Sequence, residues 1–239
     1  MPKTTLGEPN KFRPEESTIT EKAAGGLSSP AEEEYLQAIY TLDDEGAQVI
    51  GARLAAFLGV SPAAVSEMLH RLERDGLVSL DDRRAVRLAG RGKTIAERIA
   101  RRHRLAERML VDLLGYAWWK THEEAERIEH AMSDEMEERL ITVLGNPETC
   151  PHGNPMPGVR PRPTRPLEAL RPGESAKVER IPDQFEHEPG FLEYLDGVGI
   201  KPGISVRVVA IDQGALRVAV EGAERAIRRD CGHKVLVAA

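Results

Sequence analysis

Residues 51–88 read GARLAAFLGVSPAAVSEMLHRLERDGLVSLDDRRAVRL, and the order of signals along them decides the fold. Gly51–Leu58 predicts a short helix. Gly59-Val60-Ser61-Pro62 predicts a tight turn, with Ser61 capping the next helix and Pro62 at its first position, where no N–H is needed. That helix, Pro62–Asp75, buries Val65, Leu69 and Leu72, and Gly76 ends it. Two short helices joined by a glycine-containing turn make a helix-turn-helix. Leu77–Leu80 and Ala85–Leu88 follow as two short strands around the basic turn Asp81-Asp82-Arg83-Arg84, the form of a wing.

A winged helix-turn-helix reads double-stranded DNA. Ser61, Pro62 and Ala63 open the third helix, and its small residues Ala63, Ala64 and Ser66 allow close approach to base edges. Ser66 and Glu67 are placed to read bases; Arg83 and Arg84, with Arg87, are placed to contact phosphate, the alternative being a solvated hairpin tip. The formal net charge of −6 argues against nucleic acid only as an average. Arg83–Arg108 carries ten Lys/Arg and two acids, net +8, whereas Lys120–Glu148 carries three and nine, net −6. That asymmetry fits one face for phosphate and another for cations.

The acidic half contains His122-Glu-Glu-Ala-Glu126-Arg-Ile-Glu129-His130. On a helix, positions 126, 129 and 130 project within roughly 100° of one another. Two carboxylates and an imidazole so placed repel and resist desolvation unless a positive charge lies among them, as a divalent cation would. The alternative is a row of solvated charges. The helix, Thr121–Leu144, also carries Ile128, Met132, Met136, Leu140 and Val143, an interhelical or dimer seam. Upstream, a helix from about Gly92 to Leu114 sets His103 and Glu107 at i and i+4, a spacing that holds a cation or makes a surface hydrogen bond. A capping box, Ser29-Pro30-Ala31-Glu32, starts the first helix, which runs to about Asp44 with Tyr35, Leu36, Ile39, Tyr40 and Leu42 apolar and Glu33, Glu34 and Gln37 on its other side.

The remainder frames these parts. Residues 1–27 are polar and predict a mobile tail, and Asn146–Pro172 is dense in Pro, Gly and Arg and predicts a linker. Beyond it, Ser175–Ile181, Ser205–Asp212, Ala215–Glu221 and Lys234–Ala238 alternate like strands, with a turn at Gln213-Gly214 and a helical piece at Phe191–Gly197. The fold class is therefore mainly α with a small SH3-like β domain. Aromatics are only 4% of the chain, so the cores rest on Leu, Val, Ile and Ala. Cys150 and Cys231 lie far apart and form neither a disulfide framework nor a zinc site; both read as bystanders. No apolar run approaches about 18 residues and no signal layout opens the chain, so a soluble cytoplasmic protein without a membrane partner is expected.

Three stretches together, His103-Arg-Leu-Ala-Glu107-Arg, Glu126-x-x-Glu129-His130-x-Met-Ser-Asp-Glu135 and Gly153-Asn-Pro-Met-Pro-Gly158, resemble the diphtheria toxin repressor family of metal-dependent transcriptional regulators. Glu73-Arg-Asp-Gly-Leu-Val78 matches it as well. The resemblance implies a winged helix-turn-helix at 28–94, a helical metal-binding and dimerisation domain at 95–158, a linker at 159–172 and an SH3-like domain at 173–239. It implies a primary regulatory site of Glu34, Glu126, Glu129 and His130. It also implies an ancillary site of His103, Glu107 and His122, with Glu188 added from the SH3-like domain. Phe191 falls where a glutamine ligand is expected and cannot coordinate, which leaves His187 as a substitute. Glutamates at 34 and 126 replace the sulfur residues usual in iron-sensing members, and oxygen ligands suit Mn²⁺. Gln37 replaces a further carboxylate of two-metal manganese sensors, and Glu67 stands where a glutamine is usual in iron-type members.

The leading expectation is a homodimeric, manganese-activated repressor of palindromic operator DNA, Fe²⁺ being the alternative cation. A metalloenzyme reads less well, because no nucleophile, general base or glycine-rich cradle is evident. A winged-helix regulator indifferent to metal is the third reading.

Overall fold

The computed structural model describes residues 28–212 and 214–239; the expected tail at 1–27 and Gln213 of the expected turn lie outside them. Helix α1 (Pro30–Asp44) begins with the full capping box: Ser29 Oγ accepts from the Glu32 N–H, and the Glu32 carboxylate accepts from the Ser29 N–H at 2.7 Å. Helices α2 (Gly51–Leu58) and α3 (Pro62–Arg74) meet at 114°, within the helix-turn-helix range. Gly59, at φ 65°, makes the turn, and Ser61 Oγ caps α3 through the Ala64 N–H at 3.2 Å. Leu36, Ile39, Leu42, Leu54, Val65, Leu69 and Leu72 close one core across the three helices, so α1 cannot shift without the DNA-reading pair.

Strands β1 (Val78–Leu80) and β2 (Val86–Leu88) form the antiparallel wing, widened where the Val86 N–H bonds the Val49 carbonyl. Its tip is shaped by Asp81, whose carboxylate accepts from the N–H groups of Arg83 and Ala85, with Arg84 at φ 57°. Helix α4 (Gly90–Arg108) then packs on both α1 and α5 and continues into a wider π turn, Met109–Leu113. Gly92 permits that packing: a Cβ there would stand 1.9 Å from the Leu77 carbonyl oxygen.

Two expectations are corrected. The single acidic helix Thr121–Leu144 is broken into α5 (Thr121–Glu129) and α6 (Asp134–Val143). Ser133 caps α6 through the Met136 N–H, and the Ser-Asp-Glu start is itself a helix N-terminus that apolar spacing does not register. The expected linker Asn146–Pro172 is largely folded. Cys150, His152, Asn154 and Met156 are buried, Thr164–Pro166 forms β3, and Leu167 and Leu170 are sealed in a core. Proline and glycine there mark tight turns against packed surfaces, not free chain.

The C-terminal domain is a six-stranded antiparallel sheet of SH3-like kind, ordered β3-β8-β4-β5-β6-β7. It comprises β4 (Ser175–Arg180), β5 (Ser205–Ile211), β6 (Ala215–Val220), β7 (Ala223–Arg228) and β8 (Leu236–Ala238) beside β3. Short helices α7 (Asp183–Glu186), α8 (Phe191–Gly197) and α9 (Cys231–Lys234) cover it. Strand β7 was not expected: Glu224, Arg225 and Arg228 face solvent along it and only Ile227 is buried, the composition of a charge-protected edge. Phe191 is fully buried in this core. The domain is tied to the helices by Trp118, which joins its core and donates to Asp196 at 2.7 Å, and by Arg104, whose guanidinium bonds Asp183 and the Pro155 carbonyl. Among the described residues no single helix is long and apolar enough to cross a membrane.

Candidate functional site

A cavity of about 420 Å³ opens where α1, α4 and α5 meet α7, and Glu34, Glu126, Glu129, His130 and His103 all line it, with Gln37 beside them. The structure thus brings the four expected primary residues together from two helices. Burial, and then repulsion from Glu126, raise the Glu34 carboxyl above its usual range. Carboxylates gathered this way need a cation to offset them. His130 is oriented by a residue that sequence reading left on the polar side of α1: its Nδ1–H donates to Glu33 at 2.9 Å. Nε2 then keeps the lone pair and stands 3.5 Å from Glu129 Oε1, a separation one bound cation spans. Glu33 was legible only as one of three consecutive glutamates.

Behind this cavity lies a denser cluster. His103 is held between Glu129, at 2.5 Å from Nδ1, and Glu107, at 3.3 Å from Nε2. Burial alone would lower the His103 pKa, but those two carboxylates raise it to about 10. Glu107 is fully buried, and neither oxygen makes a hydrogen bond among the described residues, although His152 Nδ1 and His122 Nδ1 stand 3.1 and 3.8 Å away. Glu186 faces His122 at 3.3 Å and His152 at 3.2 Å, and Cys150 Sγ lies 3.8 Å from His152 Nδ1. Burial and the Glu107 charge push the Cys150 thiol well up. Buried oxygens without donors, two imidazoles and a thiol fit a divalent cation better than they fit a core.

Glu188, expected as the ligand from the SH3-like domain, is not in this cluster. Its carboxylate bonds Lys234 at 2.6 Å and Arg228 at 3.7 Å, because the single turn of α7 points Glu186 inward and leaves Glu188 beside α9. Glu186, His152 and Cys150 were missed as site residues, and Cys150 was set aside as a bystander. The pair Cys150-Pro-His152 was the available signal. His187 does approach the site: its Nδ1 is 3.1 Å from His122 Nε2, and burial followed by the His122 charge lowers its pKa to about 4.

Two outcomes follow. Without metal, the protonated histidines supply the positive charge. His103 and His152, whose unfolded value is near 6.5, titrate when folded at about 10 and about 9, so the stability they add is complete below pH 6.5 and lost as pH rises through those values. Thermal unfolding in chelator is expected to show a midpoint that falls from pH 7 to pH 10. A midpoint constant over that range contradicts the charge assignment. Gly153, at φ 89°, lets the His152 loop close on β4, where a Cβ would stand 2.0 Å from the Glu179 carbonyl oxygen. Gly153→Ala is expected to destabilise by about 2–4 kcal/mol, measured by denaturant unfolding; a loss under about 0.5 kcal/mol would show the loop yields.

At the other end, Ser61, Pro62, Ala63, Ser66 and Glu67 are exposed along the start of α3, and Arg83 and Arg84 are exposed on the wing. Pro62, Ser66, Arg83 and Arg84 line one cleft of about 330 Å³, so the structure brings helix and wing to a shared face.

Residues 28–86 match the family "Iron dependent repressor, N-terminal DNA binding domain", 90–158 match "Iron dependent repressor, metal binding and dimerisation domain", and 165–239 match "FeoA domain". The iron-dependent repressor IdeR of Mycobacterium tuberculosis is 35% identical over 219 residues, covering 86% of this chain and 95% of that protein. The diphtheria toxin repressor of Corynebacterium diphtheriae is 34% identical over 216 residues, with 86% and 95% covered. A solved manganese-dependent transcriptional repressor in complex with manganese superposes with a TM-score of 0.77 at 36% identity, covering 87% of this chain and 99% of that one.

Proposed function

Because this chain belongs to the diphtheria toxin repressor family and is a metal-dependent transcriptional repressor, we propose that Mn²⁺ is its activating cation and that it binds palindromic operator DNA as a homodimer. The observation that carries the metal choice is the gathering of Glu34 and Glu126, both oxygen donors, with Glu129 and His130 around one cavity. A divalent cation there supplies the positive charge that the carboxylates lack and joins α1 to α5. What the chain does with that tie follows from its packing. Glu34 sits on α1, and α1 shares its core with α2 and α3, so fixing α1 fixes the DNA-reading pair. His103, Glu107 and His122 form the ancillary site in this reading, with Glu186 in place of the expected Glu188 and with His152 and Cys150 on the far side of Glu107. Leu113, Leu114, Met136 and Val143 are exposed on the helical domain and offer the apolar face for a second copy. The working division is 28–94 for DNA, 95–158 for metal and dimerisation, and Thr164 onward for the SH3-like domain.

An iron-activated repressor is the second reading, favoured by relatives named as iron-dependent and by the Cys150 thiol in the inner cluster. Operator binding measured against buffered Mn²⁺, Fe²⁺, Co²⁺ and Zn²⁺ without oxygen separates the two. Half-maximal binding at a lower free concentration of Fe²⁺ than of Mn²⁺ transfers the role to iron; half-maximal binding at a lower free concentration of Mn²⁺ keeps it here. For the DNA face, neutralising Arg83 and Arg84 together is expected to weaken binding to all sequences alike and reduce the salt slope by about 2. An unchanged slope removes the wing from the interface.

A further inference from the structure

We propose that Glu32 is a positioning residue of the metal gate: its ion pair with Arg71 transmits the position that the cation gives α1 to the DNA-reading helix α3. The inference rests on the gate proposed above and names the contact that carries it. Glu32, Glu33 and Glu34 follow one another at the start of α1. Side chains on neighbouring helical positions point about 100° apart, so the three cannot share one face. Each meets a different partner. Glu34 lines the proposed metal cavity, Glu33 accepts from His130 at 2.9 Å and from Ser28 at 2.8 Å, and Glu32 turns toward α3.

Glu32 is only 6% exposed, which is rare for a carboxylate, and each of its oxygens has a donor. Oε2 accepts from the Ser29 N–H at 2.7 Å, the capping contact, and Oε1 accepts from Arg71 Nε at 2.9 Å. Capping a helix start does not require burial, so the sealed position serves the second contact. A buried carboxylate that lost the arginine would keep an uncompensated charge, and that cost holds the pair together. Arg71 is half-exposed, and Glu32 is its ion-pair partner among the described residues.

The pair supplies what the shared core does not. Leu36 and Ile39 of α1 share a core with Leu69 and Leu72 of α3, but apolar contact is non-directional and lets one helix turn on another. An N–H···O bond has a preferred direction and resists that turn. Its place along both helices suits the role. Glu32 is two residues before Glu34, and Arg71 is one turn beyond Glu67, which is placed to read bases. The cation sets Glu34, α1 moves as one body with Glu32, and Arg71 obliges α3 to follow.

The test is operator affinity of the full chain with and without saturating Mn²⁺, read as the Mn²⁺-induced gain. Glu32→Gln keeps an oxygen for the Ser29 N–H and deletes the charge, and its gain is expected to fall about 2- to 30-fold below that of wild type. Its Mn²⁺ affinity without DNA is expected to stay at the wild-type value, because no proposed ligand is touched. Arg71→Gln is expected to show the same loss, the double variant no further loss, and Arg71→Lys, which keeps a cation, most of the gain. If Arg71 only held a DNA phosphate, Arg71→Gln would weaken binding with and without Mn²⁺ alike and leave the gain intact. If Glu32 only stabilised α1, Glu32→Gln would lower the thermal midpoint and leave the gain intact. Either result overturns the proposal, as do losses that add in the double variant. A wild type without any gain removes the gate and this proposal together, whereas a wild-type gain that survives in Glu32→Gln removes this proposal alone.

Discussion

Glu34→Ala abolishes metal-dependent operator binding and leaves the chain folded: this is the first result expected. Glu34 is exposed on α1 and caps nothing, so its loss removes little packing. It is the one cavity carboxylate on α1 proposed as a ligand, facing Glu126, Glu129 and His130 on and just beyond α5. Without it, a cation still held by α5 no longer distinguishes one position of α1 from another. Coupling between two ligands exists only as differential affinity for the two positions, so the metal-induced gain in operator affinity, about 5–150-fold for couplings of ordinary size, falls to about one. Operator binding with and without saturating Mn²⁺, beside an unchanged circular dichroism spectrum, reads this directly. A variant that keeps its full Mn²⁺ response removes Glu34 from the gate.

The second large effect concerns stability. Glu107→Gln keeps the shape of a fully buried side chain and deletes the charge facing His103, His122 and His152. Burial pushes the Glu107 carboxyl up, yet His152 and His103 hold it well below the usual range, so it is ionised and the imidazoles depend on it. Removing one partner of a buried pair costs about 3–5 kcal/mol. For a chain of this size that lowers the thermal midpoint by roughly 6–20 °C at pH 7 in chelator. The deficit should narrow toward pH 10, where His152 and then His103 of the wild type are also losing their protons. A deficit independent of pH points to packing instead of charge.

Much of this was legible in local signals. The capping box at Ser29, the Gly59-Ser61-Pro62 turn and the basic wing tip each depend on a few neighbouring residues, and the structure places α1, α2, α3 and the wing where those signals put them. Helical spacing also brought Glu126, Glu129 and His130 to one face. The misses are long-range. That Cys150 and His152 meet Glu107 depends on how the Gly153 loop lies against β4, and that Glu186 replaces Glu188 depends on one turn of α7 docking on α5. Neither distance is encoded in spacing along the chain. Strand β7 was missed because an edge strand protected by charge lacks the alternation that marks a half-buried one.

The most direct test of the metal gate is Mn²⁺ affinity measured with and without operator DNA, at fixed pH and salt. Coupling is reciprocal, so if Mn²⁺ tightens operator binding by some factor, operator must tighten Mn²⁺ binding by that factor. The expected result is a lower Mn²⁺ dissociation constant in the presence of operator, by the same factor, in wild type and not in Glu34→Ala. Equal Mn²⁺ affinity with and without operator in wild type contradicts the gate.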